Sequence, residues 1–169
     1  MGPGGFPPCV DCSSAGNKPV IECAGKQQYG LDSVVLNFSF CDNNGDIGLG
    51  MSDTTGIFKY GNIWAIYFYK DSIGNWVTGD DPSTPQMDTL ILKYRIPPLP
   101  PPPITTPYVV GGFPNPVKVI LNSVNANTGE IQCMIKPLVF PHNEIRFDIF
   151  MYDKALNKTN IITTPSIYP

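Results

Sequence analysis

Phe38-Ser39-Phe40-Cys41-Asp42-Asn43-Asn44-Gly45-Asp46-Ile47-Gly48-Leu49-Gly50 runs an alternating apolar strand straight into a turn crowded with oxygen-bearing side chains and glycines. Just upstream, Val34, Leu36, Phe38 and Phe40 share one face, while Ser33, Asn37 and Ser39 share the other. A period of two marks a strand with one buried face. In the turn, Asp42, Asn44 and Asp46 fall at alternate positions, and Gly45, Gly48 and Gly50 are available for backbone of positive φ.

The pattern repeats on both sides. A short strand is predicted at 19–23, with 25–32 connecting it to the central strand at 33–41. After a loop over 51–59, residues 62–70 form the strongest strand by aromatic and β-branched content. Asp71-Ser72-Ile73-Gly74 turns it into a short partner at 75–77. A loop at 80–85 precedes a strand at 88–96, with Leu90, Leu92, Tyr94 and Ile96 in phase. Residues 96–103 are too rich in proline to enter a sheet interior and are expected as polyproline II, either a stiff crossover between sheets or a docking segment for an aromatic groove.

Beyond it, 116–124 and 130–136 flank the hairpin turn Asn125-Ala126-Asn127-Thr128-Gly129. Strand 144–152 puts Ile145, Phe147, Ile149 and Met151 on one face, and the turn 153–160 leads to a last strand at 161–165. With no amphipathic helix of ten residues and about eight short strands, the chain reads as an all-β antiparallel sandwich of seven to nine strands. One domain spans 19–169, behind a flexible leader of Gly, Pro, Ser and Cys at 1–18.

Composition narrows the classes of function. Net charge is −3, and the 11 Lys and Arg residues are scattered singly, which excludes a basic surface for nucleic acid. No apolar run is long enough for a transmembrane segment. Cys9-x-x-Cys12 lacks the second pair that a zinc site needs. Cys23 and Cys41, beside predicted strands, are either disulfide partners or buried thiols.

Two motifs in this order resemble a recurrent domain of cell-envelope proteins from Bacteroidetes. One is Phe38-Ser-Phe-Cys-Asp-Asn-Asn-Gly-Asp-Ile-Gly-Leu49; the other is Ile145-Arg-Phe-Asp-Ile-Phe-Met-Tyr-Asp-Lys-Ala-Leu-Asn-Lys-Thr-Asn160 followed by Thr164-Pro165. The pair is similar to immunoglobulin-like exported lipoproteins carrying D-x-D-G-D-I-G and D-x-A-L-N-x-S/T-N turns, over roughly residues 19–167. The resemblance implies an immunoglobulin-like fold and a periplasmic, outer-membrane or cell-surface location. It also implies a lipid anchor in the native precursor and other protein subunits as partners. It further makes Thr54 and Ser72, in the triplets Asp53-Thr54-Thr55 and Asp71-Ser72-Ile73 expected on loops, candidates for O-glycosylation.

The candidate sites rest on the residues themselves. Asp42, Asn44, Asp46 and Asp53 occupy relative positions 1, 3, 5 and 12 of a calcium loop, though Ile47 stands where an EF-hand needs glycine. Calcium is therefore a candidate ligand of a looser turn between strands, the alternative being that Asp42 and Asp46 cap the turn; no other cofactor is expected. His142, the only histidine, has no nucleophile elbow or phosphate loop beside it, so a non-catalytic protein is expected. Trp64, Tyr67, Tyr69 and Trp76, crowded into one hairpin, are candidates for stacking on sugars or seating a partner. The leading expectation is a structural or interaction subunit of an exported surface assembly, such as a secretion, gliding or nutrient-uptake complex. A carbohydrate-binding module and a subunit of an extracellular fibre are the alternatives.

Overall fold

In the computed structural model, residues 18–29, 33–43, 46–78, 91–111, 116–135 and 142–169 are described; the leader, Asn44, the loop at 80–85 and residues 88–90 lie outside them. The described residues form ten strands: β1 (Val20–Tyr29), β2 (Ser33–Cys41), β3 (Ile63–Lys70), β4 (Trp76–Val77), β5 (Ile91–Tyr94), β6 (Tyr108–Gly111), β7 (Val117–Leu121), β8 (Thr128–Ile135), β9 (Ile145–Met151) and β10 (Ile162–Thr163). One 3-10 turn, Gly56–Lys59, breaks the loop after β2.

Every strand pair is antiparallel. One sheet runs β1-β2-β8-β7-β6 and the other β10-β9-β3, with β4 and β5 sharing the far side of β3. Lettered A, B, C, D, E, F and G, strands β1, β2, β3, β7, β8, β9 and β10 give the sheets A-B-E-D and G-F-C, the immunoglobulin arrangement. The loops β2–β3, β7–β8 and β9–β10 therefore gather at one end of the sandwich.

The inward positions are the ones alternation picked out. Leu36, Phe38 and Phe40 of β2, Tyr67 of β3, and Phe147 and Ile149 of β9 are at most 1% exposed and meet in one core with Val119 and Ile131 of β7 and β8. Burying each such side chain contributes about 1.5–3 kcal/mol, which makes the face that points inward a strong constraint on register. Gly129 faces both Phe40 and Leu121 across the ladders, and a Cβ there would lie 2.1 Å from the Ile120 carbonyl oxygen.

Three expectations need correction. Strand β1 does not stop at Cys23 but continues to Tyr29 through an irregularity between Glu22 and Gly25. Lys26, Gln27 and Gln28 on this edge strand are exposed and held by the backbone ladder to β2, so no apolar alternation announces them. Second, Gly48 and Gly50 are not among the positive-φ glycines of the described residues. Gly48 is required instead for close approach, because a Cβ would sit 2.9 Å from Leu99 N and from the Pro97 carbonyl oxygen. Third, the four-residue β6 adds an edge strand that the sequence reading did not delimit. The proline-rich segment is a crossover: it leaves β5 in one sheet, packs Leu99 and Ile104 against the core and enters β6 in the other.

Candidate metal centre

Asp42 directly follows β2, and Asp46 comes four residues later in the same turn. Asp153 follows β9, which pairs with β3 in the opposite sheet. The clustering of loops at one end brings the two turns together, and the backbone N–H of Lys154 donates to the Asp46 carbonyl at 2.9 Å. As a result, one carboxylate oxygen from each of Asp42, Asp46 and Asp153 lies within 4.8 Å of the other two.

The turns are locked from several sides. Asp46 N–H donates to Asp42 Oδ2 at 2.7 Å, and Asp42 N–H donates to the Asn127 carbonyl at 2.7 Å. Asp153 accepts from the backbone and side-chain amides of Asn157 at 2.7 and 2.9 Å. Beneath them, fully buried Asn62 donates to the carbonyls of Ile47 and Tyr152 and accepts from Ile96 N–H.

What these bonds leave over is the chemistry of the site. Asp42 and Asp153 are 0% exposed. Asp42 Oδ1 and Asp46 Oδ1 are both buried and have no hydrogen-bond partner. Burial, with the Asp46 carboxylate next to it, pushes the Asp42 carboxyl well above the usual carboxylate range. Two unit charges about 4 Å apart repel by about 4 kcal/mol even at an effective dielectric constant near 20, so three carboxylates here need a cation or a shared proton.

The structure redistributes the residues picked from the sequence. Asp42 and Asp46 come together, and Asn44 lies outside the described residues. Asp53, placed with them by spacing, instead accepts from Gly50 N–H at 2.7 Å and pairs with Lys154 Nζ at 3.5 Å. Asp153 takes the place expected of Asp53; its signal was the second acidic turn, which only the strand topology connects to the first.

Of the four aromatic candidates, Tyr67 and Tyr69 face the core and pack against His142, whose ring stacks on Tyr69 at 3.7 Å between centroids. Tyr67 Oη hydrogen-bonds His142 Nδ1. Trp64 and Trp76 face outward and carry cations: Lys93 Nζ lies 4.3 Å from the Trp64 ring and the Arg146 guanidinium 4.2 Å from the Trp76 ring. Thr54 and Ser72 are exposed, the latter in the β3–β4 turn capped by Asp71. Cys23 and Cys41 are both disulfide-bonded, whereas Cys133 is a buried free thiol. Comparison with known proteins assigns no family: no family model matches the chain, and neither does any curated protein or solved structure.

Proposed function

We propose that this chain is a non-catalytic structural or interaction subunit of an exported cell-surface assembly, and that it meets its partner along the edge strand β6. The observation that carries the reading is the character of that edge. β6 pairs with β7 on one side only among the described residues, and Tyr108 and Val109 are 41% and 50% exposed. From Ile104 to Gly111 there is no charged residue to discourage pairing with another chain. An edge of this kind suits addition of a strand from a partner. The oxidised state of Cys23 and Cys41 supports an exported location, since disulfides persist in oxidising compartments. His142, engaged by Tyr67 and Tyr69, supports a non-catalytic reading.

The sugar-binding alternative has less support, because Tyr67 and Tyr69 are inside and cations cover Trp64 and Trp76. A photo-crosslinking residue at Val109, expressed in the native host, tests the proposal. A discrete adduct in the envelope fraction, absent when the probe sits at the still more exposed Ile73, is expected. Lack of any adduct at Val109, or recovery of the chain in the cytoplasm with Cys23 and Cys41 reduced, overturns it. Light scattering on the purified chain separates the fibre alternative, for which Val109→Pro converts an oligomer to a monomer.

A further inference from the structure

We propose that Asp42, Asp46 and Asp153 bind a hard divalent cation, calcium, and that this ion clamps the turn after β2 to the turn after β9. The site stands independently of the surface-assembly reading. An acidic cluster alone would not carry it. The deciding observation is that Asp42 is 0% exposed, its Oδ2 is fixed by Asp46 N–H, and its Oδ1 has no hydrogen-bond partner. Asp46 Oδ1 is in the same condition. Two buried acceptors without donors, in a cluster with a third carboxylate, are what an oxygen-seeking ion would satisfy.

The donor set selects the ion. Among the described residues, the His, Cys, Asp and Glu side chains that converge here are all carboxylates, which suits calcium or magnesium and not zinc, whose sites favour nitrogen and sulfur. The three oxygens lie within 4.8 Å of one another. Calcium accepts an irregular set of several protein carboxylates, whereas magnesium demands near-ideal octahedral geometry and usually takes one or two. Lys154, next to Asp153 in the chain, is paired with Asp53, and Arg95 donates to the Gly50 and Asp53 carbonyls. The ion's remaining positions are left to water, as is usual for a site with three protein carboxylates.

The test is calcium titration of the full chain after chelation, followed by calorimetry and by thermal unfolding. One ion per chain and a rise in Tm of about 5 °C at saturation are expected. Asp46→Asn, at a half-buried position that keeps its backbone N–H to Asp42, lowers affinity at least about tenfold. Asp153→Asn does the same, so the site remains testable if Asp42→Asn fails to fold. No heat and no Tm shift up to about 10 mM calcium, ten times the weakest extracellular calcium modules, overturns the proposal. Binding unchanged in both variants, or magnesium bound as tightly as calcium, also overturns it.

Discussion

Asn62 Nδ2 donates to the Ile47 carbonyl at 2.7 Å, joining the first residue before β3 to the acidic turn that follows β2. The same amide reaches the Tyr152 carbonyl at 3.0 Å, and Asn62 Oδ1 accepts from Ile96 N–H at 3.1 Å. One buried side chain thus satisfies three backbone groups that no ladder reaches. Asn62→Ala leaves all three unpaired and is expected to cost about 2–4 kcal/mol, read as a lower midpoint in urea with unchanged slope. Asn62→Asp costs a comparable amount, because a carboxylate cannot donate to the Ile47 and Tyr152 carbonyls.

Gly61 stands just ahead of Asn62 with φ +132°, and a Cβ there would lie 2.2 Å from the Tyr94 carbonyl oxygen. Gly74, in the β3–β4 turn, has φ +90° but open space around it. Gly61→Ala therefore meets both strain and collision, at a cost of about 3 kcal/mol or more, while Gly74→Ala meets strain alone, at about 1 kcal/mol. Thermal unfolding of the two variants side by side checks the difference; equal losses would show that the backbone at 61 relaxes freely.

The parts of the fold legible in the sequence are those where burial imposes a period of two. β3 alternates throughout, β2 and β9 bury every second position with Val35 and Phe150 buried on the opposite face as well, and the sequence places the bounds of all three to within a residue. β1 beyond Cys23 and β6 escaped because their side chains are exposed and their backbones are held from one side only. The acidic cluster is half legible for a related reason. Asp42 and Asp46 belong to one turn and one local spacing, but Asp153 lies more than a hundred residues away and reaches them only through the order of strands in the sandwich. Asp53 fitted the spacing of a calcium loop, yet its carboxylate closes its own turn on Gly50.

Cys133 lies on β8 opposite Leu36 and Val117, 1% exposed, and burial raises its thiol far above the ordinary range. Since the thiolate is the reactive form, Cys133 is expected to resist alkylation in the native protein and to react only on global unfolding. Mass spectrometry of the Cys133 peptide after iodoacetamide, across a urea series, should follow the same transition as far-UV circular dichroism. Labelling well before that transition would mean that β8 opens locally. Cys133→Ser, which buries a hydroxyl at the same place, is expected to cost about 1–3 kcal/mol.

Glu144 fastens the end of the chain to the start of β9. Its Oε1 accepts from Ser166 Oγ at 2.8 Å and from Tyr168 Oη at 3.3 Å, and its Oε2 pairs with Lys70 Nζ at 3.3 Å. The Ser166 hydrogen bond above all, with Lys70 and Tyr168, holds this carboxyl below its ordinary value of 4.5. A lowered carboxylate pKa means that the folded state binds the proton less readily than the unfolded chain. The fastening is therefore complete above pH 4.5 and is lost as pH falls through the lowered value. Acidification should thus speed amide exchange at Ile167, whose N–H donates to the Ile145 carbonyl at 2.7 Å, before it affects the β2–β8 ladder. Glu144→Gln should show the faster exchange already at neutral pH and little further change on acidification; a pH response at Ile167 that survives this substitution would assign the fastening to another group.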